Sequence, residues 1–240
     1  MGFVRERYAR VLERIAAAAR RAGRPPEEIR VVAVSKAHPP ERMAEAIGAG
    51  VEILGENRVQ EARVKRAEMD PAVAGRARWH LVGTLQRNKV RQVPGLFDAV
   101  ESVDSLPLAR ELARRVERAG GEPLEVFLQV NTGEEAQKGG VPPAEALDLL
   151  REVARLEALR AVGLMCIPPL GRSAEESRPH FRLLRRLRDQ AREGGLSTVQ
   201  ALSMGMSGDF EVAIEEGATH VRIGTAIFGP RPGERAEPAA

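Results

Sequence analysis

The sequence predicts an α/β fold: a single closed (β/α)8 barrel of the TIM type, with an extra helix at the N-terminus. Three observations carry the prediction. Short apolar runs alternate with longer amphipathic stretches from end to end, the mark of parallel βαβ units. About eight such units fit the chain, the number that closes a barrel. No G-x-G-x-x-G follows the first strand, so the open doubly wound sheet that shares this alternation is the weaker alternative.

The opening segment reads as a helix because Val4, Tyr8, Val11, Leu12, Ile15 and Ala19 recur at helical spacing, with Arg5, Glu6, Arg7, Arg10, Glu13 and Arg14 on the other face. Strands are then expected at Val31–Ser35, Val51–Gly55, Trp79–Gly83 and Phe97–Ser102. The second half adds Glu125–Asn131, Leu159–Ile167, Thr198–Ser203 and His220–Ile223. The helices between them start at Pro39-Pro40, Asp104-Ser105 and Pro142-Pro143. Gly50, Gly120-Gly121, Gly194-Gly195 and Gly217 follow helix ends, where a left-handed residue closes the last turn. No linker divides the chain, so residues 1–230 are expected to form one domain and Arg231–Ala240 a loose tail.

Composition excludes several function classes. Of 240 residues, 43% are hydrophobic and 30% charged, and no apolar run approaches a membrane span. The N-terminal pattern is not that of a secretion signal, and Glu6 stands where myristoylation needs a hydroxyl. One cysteine, Cys166, rules out an internal disulfide and a cysteine-based zinc site, and no metal site is expected. A cytoplasmic location follows as the default. The net charge of +3 does not imply nucleic acid, because 37 basic residues interleave with 34 acidic ones and aromatic residues are only 3%.

Lysine use is more informative. Positive charge is supplied overwhelmingly by Arg, and the only lysines are Lys36, Lys65, Lys89 and Lys138. Arg cannot lose its proton to become a nucleophile, whereas a desolvated Lys can. In a parallel barrel, function collects where strands end. Those points carry Ser35-Lys36, Gly55-Glu56-Asn57, His80 with Gly83-Thr84-Leu85-Gln86, Glu101-Ser102, Asn131, Met165–Pro168, Ser203–Gly208 and Arg222–Thr225. Lys36 closes an apolar strand at the mouth, where desolvation lowers an amine pKa and readies it to condense with an aldehyde. The segments Ser203–Gly208 and Gly224-Thr225 supply glycines and hydroxyls after strands seven and eight, where phosphate recurrently binds in such barrels. A phosphate anchor opposite a strand-one lysine fits pyridoxal 5'-phosphate (PLP). Arg222, if inward, faces the pyridine nitrogen and keeps it unprotonated; an outward Arg222 pairing with a helix carboxylate is the equal alternative.

The motifs together resemble one known family across nearly the whole chain. They are Val31–Lys36, Gly55–Glu61, Trp79–Lys89, Glu101–Asp104, Gln129–Asn131, Lys138-Gly139, Gly163–Pro168, Leu202–Ser207 and Val221–Gly229. In order and spacing they are similar to the PLP homeostasis proteins, whose fold resembles the barrel domain of alanine racemase, a fold type III PLP barrel. The resemblance implies that Lys36 carries a Schiff base to PLP and that Arg222 faces the ring nitrogen. It implies that Ser203, Gly224 and Thr225 hold the phosphate with Met204 nearby, and that Asn57 and His80 surround the ring. The roles of Lys89 and Lys138 stay open.

Racemases of this fold use the cofactor lysine and a tyrosine from another domain. The only tyrosine, Tyr8, lies on the opening helix as a packing residue, and the chain leaves no room for a second domain. The expectation is therefore a carrier or regulator of PLP and amino-acid balance, exchanging PLP with PLP-dependent apoenzymes, and monomeric. A weak amino-acid racemase is the alternative, and a phosphosugar-binding barrel enzyme the third reading.

Overall fold

The computed structural model describes residues 2–135 and 137–230. The expected tail therefore lies outside the described residues. Eight parallel strands close into a barrel in sequence order: β1 (Arg30–Val34), β2 (Ile53–Glu56), β3 (Arg78–Leu81), β4 (Ala99–Val103), β5 (Leu124–Gln129), β6 (Leu159–Met165), β7 (Ala201–Ser203) and β8 (His220–Ile223). β8 returns to pair with β1, in a register that sets Arg222 beside Val32. This is the α/β barrel that the alternating pattern requires.

Period-two alternation divides the strand residues into two sets. Val31, Ala33, Leu54, Trp79, Leu81, Val100, Leu202, Val221 and Ile223 join the core between barrel and helices. The alternate residues fill the barrel, and they are of two kinds. Val32, Val34, Ile53 and Val82 make a small apolar cluster on the β1–β3 side. Alongside them, buried His80, Glu101, Ser203 and Arg222 make the rest of the interior polar. Gly55 keeps the apolar side narrow, since a Cβ there would meet Val32 Cγ1 at 2.9 Å.

Outside the strands run α1 (Phe3–Arg21), α2 (Pro40–Gly48), α3 (Val59–Glu68), α4 (Pro71–Ala74), α5 (Leu106–Ala119), α6 (Ala146–Ala154), α7 (Arg178–Glu193), α8 (Phe210–Glu215) and α9 (Thr225–Phe228). α1 is the extra N-terminal helix. It buries Val4, Tyr8, Val11, Ile15, Ala18 and Ala19, and its Arg14 and Arg21 pair with Glu211 and Glu215 of α8. Gly50, Gly120, Gly195 and Gly217 take positive φ after helix ends, as expected, whereas Gly194 does not. Between β3 and β4 the crossover is a 3-10 segment, Arg87–Gln92, rather than an α-helix.

Candidate functional site

The C-terminal strand ends converge on a cavity of about 290 Å³, near the lower limit of the ~300–1,000 Å³ usual for small-molecule sites. Its wall includes Lys36 and His38 after β1, Asn57 after β2, Ser207 and Gly208 after β7, and Arg222, Gly224 and Thr225 at the end of β8. A larger hollow of about 700 Å³ opens at the opposite, N-terminal end, among ion-paired side chains such as Arg78 and Glu125. The smaller cavity is the candidate site, because barrels of this kind work at their C-terminal mouth. It also holds the residues able to bond covalently or to grip an anion.

Lys36 sits one residue past a strand whose ladder continues through the Ser35 N–H, which donates to Gly55 O at 3.0 Å. The chain then turns sharply, because Ala37 has φ +63°. Two further bonds flank the lysine. The Lys65 ammonium donates to Ser35 O at 2.8 Å, and the Ala37 N–H donates to Glu61 Oε1 at 2.7 Å. Lys65 also meets Glu61 at 2.6 Å and Glu56 at 2.8 Å, while Ser35 Oγ donates to the same Glu56 oxygen at 2.6 Å. Glu56 Oε2 is buried without a hydrogen bond. Burial accordingly pushes the Glu56 carboxyl up, against the lowering influence of Lys65 and Ser35.

Arg222 forms the floor on the β8 side and is only 4% exposed. One amino group donates to Ser203 Oγ and the other to Cys166 O, both at 2.7 Å, which spends two of its five donors. Ser203 in turn donates to Glu101 Oε2 at 2.5 Å, so its hydroxyl is polarised from below. Glu101 completes the network with His80 Nδ1 at 2.7 Å. Burial alone would raise the Glu101 carboxyl. The hydrogen bond and charge of His80, with Arg222 and His220 behind it, outweigh burial and hold it at about 2. The carboxylate is thus ionised, and the shared proton of the His80 bond belongs to Nδ1.

Hydroxyls and glycines line the other side. The loop after β7 needs Gly205, whose φ is +91° and whose Cβ would lie 2.6 Å from Ala213 Cβ. Asp209 braces this loop by accepting from the Met206 N–H at 2.7 Å and from Ser177 Oγ at 2.8 Å. Ser207 Oγ accepts from the Ala226 N–H at 3.4 Å, joining the two loops. A Cβ on Gly208 would meet nothing within 4 Å, whereas one on Gly224 would lie 3.3 Å from Val34 O. With α8 and α9 so short, hydroxyls and loop amides, not a helix dipole, are the groups this wall offers to an anion.

Of the residues expected at the site, Lys36, Asn57, Arg222, Gly224 and Thr225 line one cavity. Three others stand off that wall. His80 lies one layer below the rim, bonded to Glu101. The Ser203 hydroxyl is committed to Glu101 and Arg222, and Met204 points outward into the helix layer, where it is fully buried. Ser207, Gly208 and His38 replace them on the wall, and His38 stacks on Phe228 with centroids 5.2 Å apart. The inward alternative for Arg222 is the one the fold adopts. Asn131 instead holds its own loop, donating to Glu135 O at 2.9 Å. Lys138 pairs with Glu135 and donates to Pro168 O at 3.0 Å; Lys89 lines a separate surface hollow beside Asn57.

Sequence reasoning named Lys65, Glu61, Glu56 and Glu101 but gave none of them a role. A signal existed, because a carboxylate ending an apolar strand must find a cation. Cys166 is buried and its thiol is pushed up to about 12, chiefly by desolvation, so it is not a nucleophile. Among the described residues no group of three or more His, Cys, Asp or Glu could hold a metal, and no helix is long and apolar enough to cross a membrane.

Residues 7–232 match the family model described as alanine racemase, N-terminal domain. Proteins named pyridoxal phosphate homeostasis protein are similar along their whole length. One from Pseudomonas aeruginosa is 44% identical, over 96% of this chain and 97% of its own. One from Escherichia coli is 42% identical, over 96% and 98%. Among solved structures, PipY of Synechococcus elongatus with PLP bound superposes with a TM-score of 0.79 at 38% identity, over 91% of this chain and all of its own. Alanine racemase of Clostridium difficile matches at a TM-score of 0.72 with 17% identity, which speaks for the fold alone.

Proposed function

This chain belongs to the alanine racemase N-terminal domain family, and from that premise we propose that it holds PLP through Lys36 and serves PLP homeostasis. The single observation carrying the reading is the convergence of Lys36, Arg222 and a hydroxyl-and-glycine cradle on one cavity. The relatives named for PLP homeostasis, and the PLP-bound PipY, support the ligand. The donor set fits it. An amine meets the aldehyde, a fixed guanidinium meets the ring nitrogen, and Ser207, Gly208, Gly224 and Thr225 hold the phosphate.

When bound, PLP would supply an aldehyde, and the Lys36 amine is the group that would hold it covalently. The chain's own part is positioning. Arg222 is fixed by Ser203 and Cys166 O with donors to spare, and it has no lone pair and no acid function to offer. Facing the ring nitrogen, it would donate to it and keep it unprotonated, which would weaken the ring as an electron sink. Asn57 flanks the ring. In this reading Ser203 and His80 support Arg222 from beneath instead of touching the cofactor.

We read the protein as a PLP holder and not a turnover enzyme. Tyr8 is buried on α1 with its hydroxyl 3.5 Å from Gly50 O, on the wall of a different hollow. It is therefore no partner base for Lys36. The same proposal includes a cytoplasmic, monomeric protein that exchanges PLP with PLP-dependent apoenzymes. One observation favours the second reading, a weak racemase-like enzyme: His38, an imidazole, stands on the cavity wall.

The test is borohydride reduction of protein incubated with PLP, followed by mass spectrometry. The wild type is expected to carry the adduct on Lys36 and the Lys36→Ala protein to carry none at the site. A wild type that traps nothing would overturn the reading. Solvent deuterium entering an amino acid at its α-carbon would favour the racemase alternative.

A further inference from the structure

We propose that Lys65 and Glu61 are positioning residues for Lys36, clamping the peptide groups on both sides of it. The proposal rests on the reading of Lys36 as the PLP lysine. Lys36 lies between Ser35 and Ala37. The carbonyl before it accepts from Lys65 at 2.8 Å, and the N–H after it donates to Glu61 at 2.7 Å. The two clamps are one unit, because Lys65 and Glu61 meet at 2.6 Å, one turn apart on α3. Glu56 anchors the unit from the end of β2.

The clamp is needed because of Ala37. Its φ of +63° puts an L-residue with a Cβ in the left-handed region, which is strained and persists only when the surroundings impose it. Without the Glu61 bond, Ala37 gains by relaxing to negative φ. That rotation swings the Lys36 Cα and redirects its amine. Lys65 is only 8% exposed and Glu56 is fully buried, a placement that a surface ion pair serving solubility does not need. The pair is costly to bury, and what it holds is the backbone of the cofactor lysine.

Lys65 is itself a hazardous target, because removing it strands a buried carboxylate. Glu61, partly exposed on α3, is the usable handle. The experiment measures PLP and pyridoxamine 5'-phosphate binding to the wild type, Glu61→Ala and Glu61→Gln, together with thermal melts. The amine analogue lacks the aldehyde, so its affinity reads the ring and phosphate contacts without Lys36.

Glu61→Ala is expected to weaken PLP about tenfold, equivalent to ~1.4 kcal/mol, and to leave pyridoxamine phosphate within about twofold. Glu61→Gln keeps an oxygen to accept from Ala37 and recovers most of the loss. The proposal is overturned if Glu61→Ala binds PLP as the wild type does, or if both ligands weaken together. A wild type that binds neither ligand sinks the PLP reading itself, a distinguishable outcome.

Discussion

Acidification should destabilise this protein through one residue at the lower end of the barrel, His220. Its ring makes an edge-on contact with Phe127 at 5.3 Å and stacks 6.3 Å from His80, with Nδ1 2.9 Å from Thr219 Oγ1. Burial is the main cause that lowers its pKa to about 4. The charges of His80 and Arg30 add to this, against the pull of Glu101. The sign follows from where each state takes up its proton. The unfolded chain binds it near 6.5 and the folded protein only near 4, so stability rises with pH between those values. The contribution is fully present above about pH 6.5 and is lost as pH falls towards 4. The gap from 6.5 to about 4 corresponds to about 3 kcal/mol, at ~1.4 kcal/mol per pH unit. The assay is urea unfolding of the wild type and His220→Phe, which keeps an aromatic ring without a titrating group, at pH 7.5 and 4.5. Other groups titrate in both proteins and cancel in the comparison. The wild type should lose about 2.5 kcal/mol more than the variant across that interval. Equal losses would refute the reasoning.

Two further outcomes rest on interior geometry. Gly205→Ala should cost about 2–4 kcal/mol, since it adds overpacking against Ala213 to a positive φ, and a thermal melt within a degree of wild type would contradict this. Glu101→Gln should cost about 3 kcal/mol, because it strips the counter-charge from buried Arg222 and weakens the acceptor of His80 Nδ1 and Ser203 Oγ; urea denaturation measures it, and an unchanged midpoint would show that the ionised carboxylate is not what holds them.

The eight strands were legible because a parallel barrel buries its strands on both faces and each reads as an apolar run. Their ends moved by a few residues at most, as with Thr198–Ser203, observed as Ala201–Ser203. The closing residues Lys36, Asn57, Arg222, Gly224 and Thr225 were legible as polar groups at strand ends. His80 and Ser203 stand off the cavity wall for a physical reason. Their strands run deep enough that an inward residue falls one layer below the rim, and depth is set by the stagger of strands around the barrel, which no local pattern encodes. Met204 joins the outer core by parity: it follows Ser203 by one residue and so faces outward. The 3-10 crossover between β3 and β4 was hidden because Val90 within it, and Leu85 and Val93 flanking it, are buried much as they would be along a helix. The clamp around Lys36 was out of reach, since it joins β1, β2 and α3 through side chains that read as ordinary charges.

The pairing of β8 with β1 has a consequence for how the protein is made. Lys36 emerges early in synthesis, while Arg222, Gly224 and Thr225 emerge almost last. α1 waits as well, since its Arg7 donates to Thr225 O at 2.9 Å and its salt bridges reach α8. A nascent chain therefore displays a reactive lysine and an apolar helix long before it owns the residues that enclose them. Such late, non-local closure is slow and exposed to misassembly. A ligand that needs both ends of the chain favours the closed state by mass action.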